Sequence, residues 1–141
     1  MTITAEEAPD ALSRIFEALE RRDLDEAMAV LEEIAHADCE HTSVIGTGVE
    51  GRTYRGYDGV RGWFADLLES FDVRYVDRDF RVLGEDRVLL LCANKLRGRG
   101  SGAEVSREIG VVWWIKDGLI RRSRSYGSHA EALAAMEAAR A

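Results

Sequence analysis

The sequence predicts an α+β domain, with helices laid against a mostly antiparallel sheet. Three observations carry this. Apolar residues recur at helical spacing early in the chain, first as Ala8, Leu12, Ile15, Phe16 and Leu19, then as Leu24, Ala27, Met28, Leu31 and Ile34. From Val73 onward the chain reads as extended stretches parted by turn residues. Behind Ser128 the pattern turns helical again. The resulting order, α-α-β-α-β-β-β-β-α, groups helices and strands instead of alternating them as βαβ units.

Each element has a local reason. Pro9 suits a first helical turn, and Asp10 suits the positive helix start. Arg21 and Arg22 suit the negative end, and Asp23 is placed to cap the second helix. So short a connection predicts an antiparallel pair of helices. Cys39 to Ile45 follows as a strand. Gly46, Gly48 and Gly51 mark a loop, and Arg52 to Tyr54 a short extended piece. Asp58 is a candidate cap for a third helix that carries Val60, Trp63, Phe64, Leu67 and Leu68. Strands are expected over Val73 to Leu83, Val88 to Arg97, Val105 to Lys116 and Leu119 to Tyr126. Asp86 with Arg87, then Gly98, Gly100 and Gly102, supply the first two turns, and Asp117-Gly118 the third. Ser128, with Glu131 three residues on, makes a capping-box pattern for the last helix.

With 141 residues and no repeat or linker, the chain is expected to be one domain over residues 1–141. Its net charge of −7 argues against broad binding to nucleic acid or an anionic membrane. No apolar run has the length of a membrane span, and Met1 to Glu7 lacks a signal pattern, so a cytoplasmic location is expected. Cys39 and Cys92 lie in apolar strand-like runs and read as reduced core thiols. Gly46, Gly48 and Gly51 have the spacing of a dinucleotide-binding loop, but no βαβ unit surrounds them. His36 and His41 make a poor zinc pair with a helix end between them, and no nucleophile elbow is present. No cofactor and no metal are therefore expected.

Three segments resemble one superfamily. Phe16-Glu-Ala-Leu-Glu-Arg-Arg-Asp-Leu-Asp-Glu-Ala27 is similar to its first helix, corner and second helix. Tyr54-Arg-Gly-Tyr-Asp-Gly-Val-Arg-Gly-Trp-Phe64 is similar to its approach to the third helix. Trp113-Trp-Ile-Lys-Asp-Gly-Leu-Ile120, with Tyr126 and Glu131-Ala-Leu133, is similar to its last hairpin and helix. On these segments the chain resembles the SnoaL-like, or nuclear transport factor 2-like, domains, which include ketosteroid isomerases and polyketide cyclases. The resemblance implies a cone-shaped α+β barrel, in which a curved sheet wraps around helices and leaves an internal apolar pocket. It also implies a homodimer formed through the outer sheet face.

The resemblance bears on chemistry as well. The isomerases' general-base aspartate falls at the strand position of His41, and a histidine there could take a proton near neutral pH. A partly buried structural ring is the other reading of His41. The isomerases' oxyanion tyrosine maps to Ile15 and their protonated aspartic acid to about Val111, neither of which can donate a side-chain hydrogen bond. The cyclases' acid, at the end of the last strand, has no counterpart in Arg121 to Ser128. A steroid-isomerase reaction, or a cyclisation through that acid, is thus not expected.

Strand alternation selects the remaining candidates. Leu90, Cys92, Asn94 and Leu96 share a face, so Asn94 needs an inward partner, whether a ligand, His41, a fixed water or a structural bond; Lys95 and Arg97 take a face read as solvent-exposed. A two-residue Asp117-Gly118 turn would pair Trp113 with Arg122, whereas a three-residue loop would pair it with Arg121. The second arrangement is favoured because it puts fewer arginines on the apolar face. Val111, Trp113, Ser123 and Ser125 then look into the pocket with Trp63 and Phe64 from the third helix. Trp114, Arg122, Arg124 and Tyr126 look outward, a composition suited to a dimer interface. The expected function is binding of a small, largely apolar molecule in the cone. Cofactor-free acid/base chemistry of isomerase, cyclase, lyase or hydrolase type would use His41 as base. The alternative is a non-catalytic binding or dimeric assembly module.

Overall fold

The computed structural model describes residues 2–43 and 52–138. Its elements are α1 (Ala8–Glu20), α2 (Leu24–Ile34), β1 (Ala35–Ser43), β2 (Arg52–Arg55), α3 (Gly56–Ser70), β3 (Phe71–Leu83), β4 (Arg87–Gly98), β5 (Glu104–Lys116), β6 (Leu119–Tyr126) and α4 (His129–Ala138). The strands form one sheet in the order β2-β1-β6-β5-β4-β3. Every neighbouring pair is antiparallel except β1 with β6, which run parallel. The α+β expectation holds, and the sheet is curved without closing on itself.

Local chemistry explains the ends of the helices. Thr4 and Glu7 bond reciprocally ahead of α1: the Glu7 carboxylate accepts the Thr4 N–H, and the Thr4 hydroxyl accepts the Glu7 N–H. Asp23 caps α2 as expected, its carboxylate accepting the Glu26 N–H at 3.1 Å. Arg22 does more than face a helix end. With φ at +64° it turns the chain between the helices, and its guanidinium donates to the carbonyls of Leu68 and Phe71. It thereby answers carbonyls that the end of α3 leaves open. Asp58 is not the cap of α3. The helix opens at Gly56, whose φ of +69° makes the turn through the backbone, and Asp58 sits in its first turn.

Strand β1 begins at Ala35, directly after α2, and not at Cys39. Its expected end at Ile45, together with Gly46, Gly48 and Gly51, lies outside the described residues. Three register shifts bend the sheet: one in β1 between Ala35 and Glu40, one in β3 between Val76 and Asp79, and one in β6 facing Trp114 and Ile115.

The last shift corrects the expected hairpin. Lys116 pairs with Leu119, so the turn is the two residues Asp117 and Gly118, with φ of +56° and +77°. Ile115 then pairs with Ile120, but Trp114 pairs with Arg122, which leaves Arg121 as an extra residue in β6. Trp113 consequently faces Ser123, and neither Arg121 nor Arg122. The two-residue turn alone would have reversed the faces of β6, and the bulge restores them.

Two apolar clusters result. The larger lies inside the curve, where α1, α2 and α3 meet the inner residues of β1, β3, β4, β5 and β6. The smaller lies outside, where Ala132 and Met136 of α4 cover Leu89, Leu91 and Val112. The outer face of β4, read from Lys95 and Arg97 as solvent-exposed, is therefore buried at Leu89 and Leu91. Among the described residues no helix is long and apolar enough to cross a membrane.

Candidate functional site in the cone

Alternation along β1 turns Cys39, His41 and Ser43 inward, and all three are buried. The parallel pairing of β1 with β6 puts His41 opposite Ser123. Their side chains meet, His41 Nδ1 lying 2.6 Å from Ser123 Oγ. This contact depends on the Arg121 bulge, without which Ser123 would face outward. Trp63 of α3 lies against His41 with ring centroids 4.6 Å apart. It also touches Phe64 and Tyr54, at 5.1 and 5.8 Å.

Cys39, His41, Ser123, Trp63 and Phe64 line a cavity of about 80 Å³. Val111, Trp113, Ser123, Ser125, Trp63 and Phe64 all reach it, as does His41. That brings together every residue expected in the pocket except one. Asn94 is fully buried but does not line the cavity; its amide donates to the Arg74 carbonyl at 3.5 Å, and its Oδ1 has no partner among the described residues. Asn94 lies on the expected face and pairs with Tyr75, which does line the cavity, but its own short side chain is turned to the backbone of β3, on the Arg74 carbonyl.

The cavity has contributors that alternation in the last strands did not reveal. Phe16 and Tyr75 stack at 4.5 Å, and both line it, as does Cys39. Val73 and Tyr75 are buried while Arg74 is exposed, a pattern that was readable in β3. Ile15 and Val111 face the same space with apolar side chains. Tyr57, in the first turn of α3, is taken structurally, its hydroxyl donating to the Ala35 carbonyl at 2.8 Å.

Electrostatics follow from this burial. Desolvation lowers the His41 pKa to about 4, so its ring is neutral at neutral pH. Its Nε2 is sealed from solvent and has no partner among the described residues. Burial pushes the Cys39 thiol up, and with it the Tyr75 phenol, which neighbouring Cys92 and Glu20 raise further. Both are therefore protonated at neutral pH. The one carboxylate among the described lining residues, Glu40, is held by the Arg55 guanidinium. Among the described residues no group of three or more His, Cys, Asp or Glu side chains is gathered to hold a metal. The chemistry within reach is thus hydrogen bonding and proton exchange at one neutral imidazole in an apolar space.

The expected outward residues form a separate strip. The Arg122 guanidinium lies 4.0 Å over the Trp114 ring, and that of Arg124 lies 5.5 Å over Tyr126. Trp114 and Tyr126 are half-buried against the outer cluster, while Arg122 and Arg124 are exposed.

Comparison with known proteins agrees with this architecture. A structure of an NTF2-like protein of unknown function from Burkholderia pseudomallei superposes with a TM-score of 0.68 at 21% identity, covering 89% of this chain and 93% of the other. A protein from Xanthomonas campestris that carries a provisional polyketide-cyclase name gives 0.69 at 19% identity, covering 90% and 94%. A protein of ketosteroid isomerase-like fold from Catenulispora acidiphila, solved in complex with trimethylamine, gives 0.69 at 16% identity, covering 89% and 91%. Likeness at such identities is likeness of fold. No curated protein matches the sequence significantly. The SnoaL-like domain family matches residues 12–123, from α1 to the middle of β6, and the chain belongs to that family.

Proposed function

We propose that this chain binds a small, largely apolar molecule in the cone and that His41, paired with Ser123, handles its polar group. Chemistry there would be cofactor-free proton transfer of isomerase, cyclase, lyase or hydrolase type. The observation that carries the reading is the lining: an apolar cavity whose buried polar pair, His41 and Ser123, leaves a ring nitrogen unanswered. Ligand sites combine these features, a mostly apolar wall and a few placed polar groups. At about 80 Å³ the cavity is well below the roughly 300–1,000 Å³ of drug-sized pockets, which points to a small ligand. The Catenulispora acidiphila relative holds trimethylamine, a molecule of that order of size.

Binding without turnover is the second reading, and specific observations favour it. Among the described residues no carboxylate contacts His41, and a ring with a pKa of about 4 is a weak base at neutral pH. A panel of small hydroxy-ketones and epoxides, with polyketide-like compounds as the large members, separates the two. Binding is followed by NMR shifts of the cone residues, and turnover by product analysis, with His41→Ala as control. The small members are expected to shift cone residues in the wild type and to bind at least about tenfold more weakly to the variant. Turnover lost in His41→Ala supports catalysis, whereas binding without turnover supports the second reading. Absence of any cone shift across the panel sinks both.

A further inference from the structure

A second cavity lies outside the cone, on the outer face of the sheet. It is an open groove of about 610 Å³, within the roughly 300–1,000 Å³ of ligand sites. Trp114 and Lys116 of β5 line it with Arg121 and Arg122 of β6. The bulge in β6 builds this wall. Arg121 is its extra residue, so both arginines stand opposite Trp114 instead of on alternate faces. The Arg121 Nε–H and the Trp114 indole N–H are buried and have no partner among the described residues. Both nitrogens are donors only, so an acceptor alone can answer them. Two buried donors left open in one groove are costly, and an acceptor bound there removes the cost.

Charge decides which acceptor fits. The Arg122 guanidinium lies 4.0 Å over the Trp114 ring, and neither it nor Lys116 forms an ion pair or hydrogen bond among the described residues. Arg121 has Asp117 at 4.0 Å as its one ion-pair partner among them. The acids that share the groove are Asp38, Glu40 and Asp86. Glu40 is held by Arg55 and Asp86 by Arg87, guanidinium groups that stand outside it. We propose that the groove binds a small molecule by a single carboxylate, held between Arg121 and Arg122 with the Trp114 indole N–H as a further donor. A planar carboxylate matches the guanidinium fork, and the Arg121 Nε–H is one arm of such a fork. Arg122 is exposed and rests on the ring by stacking, so it can turn onto the anion and uncover the indole. A dianion gains less, because Asp38, Glu40 and Asp86 line the same groove and repel it. The chain's net charge of −7 repels anions at long range, so these contact donors must supply the selectivity.

Proton–nitrogen NMR of the intact chain, at fixed ionic strength, follows the indole and arginine Nε–H signals, with Trp114→Phe to assign the indole. Acetate, benzoate, the neutral ester methyl acetate and the dianion sulfate are the probes. Acetate and benzoate should shift the Trp114 and Arg121 N–H signals, methyl acetate should not, and sulfate should bind more weakly than acetate. Arg121→Gln and Arg122→Gln should each weaken acetate binding at least about tenfold. Arg97→Gln, at an exposed arginine outside the groove, should leave it unchanged. Circular dichroism melting checks that the variants fold, and sedimentation of the same samples checks whether copies associate. Four results would overturn the proposal: no shift with acetate or benzoate, sulfate bound as tightly as acetate, an affinity indifferent to Arg121→Gln, or shifts that follow a change in association. None of them bears on ligand binding in the cone.

Discussion

His41 is buried in neutral form, and its contribution to stability has a definite sign with pH. The unfolded ring titrates near 6.5, whereas burial lowers the folded value to about 4. Above about pH 6.5 the ring is neutral in both states and favours neither. Between these values the unfolded chain takes up a proton that the folded chain refuses, so stability falls as pH falls. By about pH 4.5 the loss attributable to this residue reaches roughly 2–3 kcal/mol. Urea denaturation of the wild type and of His41→Gln, at neutral pH and near pH 4.5, isolates it, because the carboxylates titrate in both proteins. The wild type should lose that much more than the variant. Parallel losses would mean that the ring is accessible and titrates normally in the folded state.

At the scale of elements, the last hairpin shows what patterning can and cannot reveal. Asp117-Gly118 announces the turn, and alternation assigns Val111, Trp113, Ser123 and Ser125 to one face; both hold. The bulge at Arg121 was not legible, because nothing in Ile120-Arg-Arg-Ser123 distinguishes an extra residue from an ordinary one. The expected three-residue loop reached the right faces through the wrong register. The outer packing of α4 left a clearer trace. Val88 to Cys92 is a continuous apolar run, as befits a strand covered on both sides, and Leu89 and Leu91 are buried under α4. Gly110 is where that packing is tightest. A Cβ there would stand 2.3 Å from that of Ala132. Gly110→Ala should therefore push α4 outward and cost roughly 1–3 kcal/mol in thermal or urea denaturation. Gly62, inside α3 with nothing near its would-be Cβ, is the control, and Gly62→Ala should gain roughly 0.5–1 kcal/mol. If Gly110→Ala is as stable as the wild type, α4 is not seated on β5 as described.

For the molecule as a whole, the fold was legible because local signals agreed in order: two amphipathic helices, a capped turn, a run of strands and a capped last helix. The cavity was legible in its faces but not in which side chains reach it, which is why Asn94 was placed in it although its amide bonds the Arg74 carbonyl and its neighbour Tyr75 takes the wall. Assembly belongs to this scale too. Helix α4 covers the outer face at Leu89, Leu91 and Val112, so a contact between copies on this face would use the strip along β6 beside it. That strip carries Arg122 stacked on Trp114 and Arg124 near Tyr126, guanidinium and aromatic groups of the kind enriched at interfaces. The Trp114 indole N–H has no partner among the described residues. A two-fold contact through this strip would use each residue twice, so one substitution per chain acts at two places. Sedimentation equilibrium of the wild type should give a dimer, and Trp114→Glu with Arg124→Glu a monomer. Because Trp114 also packs against the outer cluster, Arg124→Glu alone is the companion variant, expected to weaken association while leaving the circular dichroism spectrum and melting temperature of the monomer unchanged. A wild type that stays monomeric, or a folded double variant that stays dimeric, would show that copies of this chain do not meet along β6.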